Sequence, residues 1–183
     1  MRNLNNLKKE IVDILKKSPL DFEATHARLV HKWVLTLKPN ADEALQIAAW
    51  SHDIDRAVTG ITEKDLKDFS KIDEFKKEHA ERSAEFISEI LRKNNYSDTI
   101  IYKVKTLVSK HEVGGDEESN VLKDADSLAY FEHNIPSYLK RNGLERTKEK
   151  IKFMFERMSP AAKKIAKGLK YANLEIKKTV DEL

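Results

Sequence analysis

Apolar residues recur along most of this chain at the three-and-four spacing of a helix, and proline, glycine or short polar clusters separate the runs. The pattern predicts a first helix over about 5–17, ended at Ser18-Pro19. A second covers about 22–38, with Leu29, Val30, Trp33, Val34 and Leu37 on its buried face, and stops before Pro39. Asn40 is placed to cap a third, whose Ala44, Leu45, Ile47, Ala48, Ala49 and Ile54 nearly surround it. A helix apolar on all sides belongs at the centre of a fold. Residues 58–73 read as a connector with one short helix after Thr62.

Beyond the connector, a fourth helix spans about 74–94 on Phe75, Ala80, Ala84, Ile87, Ile90 and Leu91. Ser97 starts a fifth, which ends near His111, and "EVGGDEESN" is a loop turned by its two glycines. A sixth begins near Ser119, carries Val121, Leu122, Ala125, Leu128, Ala129 and Phe131, and is broken by Pro136. Two or three more follow, separated by Ser159-Pro160, a cap followed by a first-turn proline. No strand-like alternation of any length and no internal repeat is present. The expectation is an all-α, single-domain helical bundle of about 7–9 helices over residues 1–183. Its C-terminal segment, 145–183, either covers the core or forms the seam of a homodimer.

Composition narrows this further. A chain of 183 residues can bury one real core, and 40% apolar with 36% charged residues, 5 Gly and 4 Pro suits a helix-rich protein. No stretch approaches the roughly 18 apolar residues of a membrane span. The start, "MRNLNNLKKEIVDILKK", has no signal-peptide apolar block. With 0 Cys there is no disulfide framework, thiolate metal site or Cys nucleophile. These features lead to the expectation of a cytoplasmic protein without a membrane partner. The net charge of +3 is spread among interspersed Lys and Glu. "EFKKEHAERSAE" and "RTKEKIKFMFER" read as solvated helix faces, and no basic stripe interleaved with aromatics points to nucleic acid.

The chemistry lies in where the 6 histidines fall. "AAWSHDIDRAV" sets His52 and Asp53 side by side in an apolar run. His26 lies in the second helix, His79 in the fourth and His111 at the end of the fifth. "KDADSLAY" puts Asp124 and Asp126 on different faces of the sixth. Five consecutive helices thus each offer a His or Asp beside an apolar stripe. Aspartates rarely enter a core without a partner or a cation, and a bundle interior is where such ligands converge. Neighbours on a helix project about 100° apart, so one metal takes both His52 and Asp53 only near the edge of both faces. His31 lies off the face of His26, at the surface or as an outer contact. His133 and Glu132 fall on the rim.

This ordered set resembles the HD-domain superfamily, a helical fold named for its His-Asp pair. "THARLVHKW" is similar to its first-histidine helix, "SHDIDR" to its His-Asp motif and "EHAERSAEFI" to its third-histidine helix. "VSKHE" and "LKDADSLAY" resemble the two motifs that follow, so the likeness covers about residues 22–132. The whole chain, including "MSPAAKKIAKGL", also resembles an uncharacterised HD-related family of similar length. The resemblance implies that His26, His52, Asp53 and Asp126 hold one metal, and that His79 and His111 hold a second, bridged by Asp53. Nitrogen and carboxylate ligands without thiolate suit one or two ions of Mn, Fe, Co, Ni or Zn.

The commonest activity in the resembled superfamily is metal-assisted hydrolysis of a phosphate ester, with a nucleotide or another small phosphorylated molecule as substrate. On that reading Asp53 and Arg56 are catalytic, Arg56 gripping phosphate through its fork of donors, and Lys110 beside His111 is a further phosphate partner. Asp55 stands where Gly is more usual. The same ligands also resemble those of di-iron oxygenases in the superfamily. A non-catalytic binding domain that retains its metal is the third alternative. No Gly-rich phosphate loop or serine nucleophile elbow is present.

Overall fold

The stripe of Leu7, Ile11 and Leu15 forms α1 (Leu4–Leu15) and is wholly buried. The computed structural model describes residues 4–183; residues 1–3, included in the single-domain expectation, lie outside the described residues. The chain continues through α2 (Glu23–Leu37), α3 (Glu43–Ser51), α4 (Ile54–Thr59), α5 (Ile72–Lys93), α6 (Asp98–Ser109) and α7 (Glu117–Ala129). The last four are α8 (Ile135–Asn142), α9 (Leu144–Glu156), α10 (Pro160–Gly168) and α11 (Leu174–Asp181). Among the described residues there is no strand, and the fold is an all-α bundle.

Two places differ from the expected course: a run that looks continuous in sequence is interrupted, and one that looks broken at Pro136 carries on. One breaks between α3 and α4. The other passes from α7 to α8 through a π-helical turn, Tyr130–Asn134, where the Ile135 N–H donates to the Tyr130 carbonyl. Pro136 therefore does not end the run. It sits in the first turn of α8, where its missing N–H has no carbonyl to serve. The cap of α3 is also not Asn40 but Asp42, whose extended backbone lets its side chain accept the Leu45 N–H at 3.0 Å.

α3 is central, as its all-round apolar surface requires. It packs against α1, α2, α6 and α7, and its Leu45, Ile47, Ala48 and Ala49 are buried. A fully buried Leu or Ile of this kind contributes about 1.5–3 kcal/mol. α2 lies on α7, and α5 lies on both α4 and α6.

The C-terminal helices spend their apolar faces within the chain, with Ile151, Met154, Phe155, Ala162, Ala166, Ile176 and Val180 buried. α10 packs on α7, and α11 on α9. The α9–α10 corner is pinned by Asp124, which accepts the Ser159 N–H at 2.9 Å, while Ser159 caps α10. No helix of the described residues is long and apolar enough to cross a membrane.

Candidate metal centre

The His-Asp pair stands at the break in its helix rather than inside it. Helical geometry stops at Ser51 and resumes at Ile54, with Asp53 at φ −106° and ψ 16°. In an unbroken helix the two side chains diverge by about 100°. The break brings both to one point, which is why a single centre can take the pair.

Four imidazoles gather there. Ring centroids run His26–His52 at 5.3 Å, His52–His111 at 5.3 Å and His79–His111 at 5.8 Å, contributed by α2, the α3–α4 break, α5 and the end of α6. Two trios, His26–His52–Asp53 and Asp53–His79–His111, each bring one ligand atom per residue to within 4.8 Å of the others. Asp53 belongs to both. Its Oδ1 lies 2.8 Å from His79 Nε2 and 3.6 Å from His111 Nε2, while its Oδ2 lies 3.6 Å from His52 Nε2. Asp126 reaches the first trio from α7, with Oδ1 3.0 Å from His26 Nε2 and 3.8 Å from His52 Nε2.

The rings are set for ligation. His52 donates Nδ1–H to the Ala49 carbonyl at 3.1 Å, and His111 donates to the Val108 carbonyl at 2.7 Å. A carbonyl only accepts, so these bonds fix the tautomer and leave each Nε2 lone pair facing the centre. His79 donates Nδ1–H to Asp55 Oδ2 at 3.0 Å, the carboxylate–imidazole arrangement that orients metal-bound histidines. Imidazole and carboxylate donors without sulfur fit a divalent transition metal. His26 Nδ1 alone is buried without a partner.

Over residues 3–180 the sequence matches the family described as a domain of unknown function, DUF4202. The chain belongs to that family. No curated protein and no solved structure matches it.

Each carboxylate of the centre is also held by an arginine. Arg56 Nη1 is in direct contact with Asp53 Oδ2 and lies 3.4 Å from Glu23. Arg157 spans Asp126 and Glu112, at 2.8 Å to each. Burial opposes charge on all these carboxyls, yet Arg56 and His52 hold Asp53 well below its usual range. Glu112 is likewise buried, but Arg157 brings it down to about 2. Burial lowers His52 to about 4, so its imidazole is neutral near pH 7. It also pushes Glu23 up to about 7, against the opposing charge of Arg56.

Beside the centre opens a cavity of about 210 Å³. His26, Asp53 and Asp126 form its floor, and Arg56 and Arg157 stand at their side. α8 and α9 supply an outer wall with Arg141, Arg146 and Lys150.

Four residues here were not singled out from the sequence: Glu23, Asp55 as an orienting group, Glu112 and Arg157. "RTKEKIKFMFER" is accordingly not only a solvated face. Its Arg146, Lys150, Met154 and Arg157 form one stripe along α9 that lines the cavity. A cationic stripe running through an apolar one was the available signal.

Lys110 does not join the site. At the end of α6 its ammonium turns outward to Asp116 at 3.0 Å, while His111 turns in. His31 is half-buried, against Gln46 and the Trp50 ring. His133 is exposed outside the cavity lining, and Glu132 pairs with Lys32 on the surface.

Proposed function

We propose that this chain is a metal-dependent phosphohydrolase of the HD type, acting on a nucleotide or another small phosphate ester. One observation carries the reading: two ligand trios that share Asp53 adjoin a cavity onto which His26, Asp53 and Asp126 open beside the guanidinium groups of Arg56 and Arg157. Imidazoles and carboxylates attract the cation, and the wall attracts the anion. His26, His52, Asp53 and Asp126 would hold one ion, and His79, His111 and Asp53 would hold a second. A divalent metal bound there supplies Lewis acidity and an activated water at neutral pH.

The chain's own residues do the rest. His26 and Arg157 together keep Asp126 ionised, and the buried Nε–H of Arg157 has no partner within the protein, which leaves it to donate to a phosphoryl oxygen. Arg56 holds the outer oxygen of Asp53 and faces the same space. Asp55 fixes the ring of His79. Arg56 and Arg157 stand beside the ligand cluster, so the phosphate of a bound ester lies toward them.

The test is metal analysis of protein purified without a nickel-affinity step, followed by a panel of phosphate esters. The expected result is one or two transition-metal ions per chain, with ester hydrolysis lost together with the metal in His52→Ala/Asp53→Ala. Hydrolysis that survives this double substitution overturns the reading. Substrate-dependent oxygen uptake by iron-loaded protein, without ester cleavage, transfers the site to the oxygenase class.

A further inference from the structure

The cavity lining contains a second arrangement besides the arginines and the His-Asp centre. Tyr130 and Asn134 bracket the π-helical turn between α7 and α8, both line the cavity, and both are buried, at 4% and 8% exposure. The Tyr130 hydroxyl and the Asn134 Oδ1 nevertheless have no hydrogen-bond partner. Buried polar groups are nearly always paired, and an orphan costs about 1–3 kcal/mol. Two orphans on one turn, facing one cavity, form a constellation that awaits a ligand. The turn itself is of the kind that recurs at functional sites, because its extra residue re-aims side chains from an otherwise regular helix.

The chemistry of the orphans selects the ligand. Asn134 Oδ1 accepts and does not donate, so an ionised phosphate, which only accepts, does not satisfy it. A hydroxyl does, and it can also exchange a hydrogen bond with the Tyr130 hydroxyl. The surrounding surface suits a compact organic body: Tyr138 lies edge-on to Tyr130 at 6.0 Å, and Phe22 lines the same cavity beneath Arg141.

The geometry points to a subsite in which Tyr130 and Asn134 bind the hydroxyl-bearing, sugar-like part of a phosphate ester whose phosphate lies toward Arg157 and the His-Asp centre. This rests on the phosphohydrolase reading for the placement of the phosphate, but the subsite is a binding site in its own right. A free sugar phosphate and a nucleotide share the chemistry. The cavity's modest enclosed volume leaves a nucleobase, where present, at the basic mouth.

The experiment compares wild-type chain with Tyr130→Phe and Asn134→Leu, each close in shape to the original and each checked for unchanged helicity and melting temperature. Calorimetric binding of ribose 5-phosphate, uridine 5′-monophosphate and phenyl phosphate is measured on metal-loaded protein. KM and kcat are read for whichever esters turn over. Each variant is expected to weaken both hydroxylated esters by about threefold to tenfold, the size of one neutral hydrogen bond, with phenyl phosphate unchanged and kcat retained. Similar loss for ribose 5-phosphate and uridine 5′-monophosphate assigns the subsite to the sugar, whereas a loss confined to the nucleotide overturns the assignment to a sugar hydroxyl. Equal weakening of phenyl phosphate, no weakening at all, or no binding of either hydroxylated ester to the wild type also overturns it. Selective weakening of binding without hydrolysis keeps the subsite and removes the hydrolase, so the two failures are separable.

Discussion

Asp53 and Asp126 meet at the same histidine cluster, and they are built in opposite ways. Asp53 stands in a helix break, and its arginine follows within one turn, so pair and partner form a single local unit. Asp126 lies mid-helix on α7, and its arginine arrives from the end of α9, on the corner that Asp124 also pins. One half of the centre is made by local chain geometry. The other depends on the C-terminal helices packing correctly against the core.

Substituting the two aspartates gives the largest expected contrast. Asp53 serves both trios, so Asp53→Asn is expected to reduce metal content to background and ester hydrolysis by about 10²-fold or more, given the several kcal/mol a metal contributes. Asp126→Asn touches only the first trio and is expected to keep at least one ion in protein loaded with two. Elemental analysis with parallel kinetics decides between them. Equal loss of metal in both variants would remove the distinction between a shared and an unshared ligand.

Arg157→Met probes the non-local half. It leaves Glu112 and Asp126 buried without their cation, a change that costs about 3 kcal/mol in comparable sites. For a chain of this size that is a fall in melting temperature of about 6–12 °C. Metal supplies positive charge beside Asp126, so loading the variant should recover part of the loss. A deficit identical with and without metal would mean that Arg157 acts through packing alone.

Asp55 yields a smaller effect. It accepts from His79 and is bracketed by Arg82 at 2.9 and 3.0 Å, with Ser83 receiving its own N–H. Asp55→Ala frees the His79 ring and is expected to weaken metal binding about 10–100-fold. Arg82→Ala, which leaves that ring bond in place, should weaken it far less in the same titration. If the two variants weaken binding equally, Asp55 acts through its ion pair and not through ring orientation.

What the sequence disclosed follows the same division. His26, His52, Asp53, His79, His111 and Asp126 were legible because each interrupts an apolar stripe, and a core admits such groups only with a reason. Arg56 was visible as a near neighbour. Arg157 was hidden in a charged run whose other members are largely solvated, and its role exists only once the end of α9 reaches Asp126 on α7. Asp55 follows the His-Asp pair with no sign in the sequence of what it orients; only the approach of α5 gives it His79 and Arg82 as partners. The helix boundaries suffered for a related reason. The periodicity through Ile54 carries on across the α3–α4 break and leaves no gap in the apolar pattern, while Pro136 reads as a stop although the π turn carries the helix past it. Both are places where the site re-aims a side chain.

Lys110 provides the smallest effect and the sharpest control. It sits next to His111, so proximity in sequence makes it a natural phosphate partner, and the turn that ends α6 points it away. The His111 ring is buried while the Lys110 ammonium meets Asp116 in solvent. Lys110→Ala removes one exposed ion pair and is expected to change stability by less than about 0.5 kcal/mol. It should leave KM for phosphate esters unaltered, while Arg157→Met raises it. An increase in KM for Lys110→Ala comparable to that for Arg157→Met would place phosphate on the α6 side of the centre, away from α8 and α9. It would then be the local neighbour, not the C-terminal wall, that reads the anion.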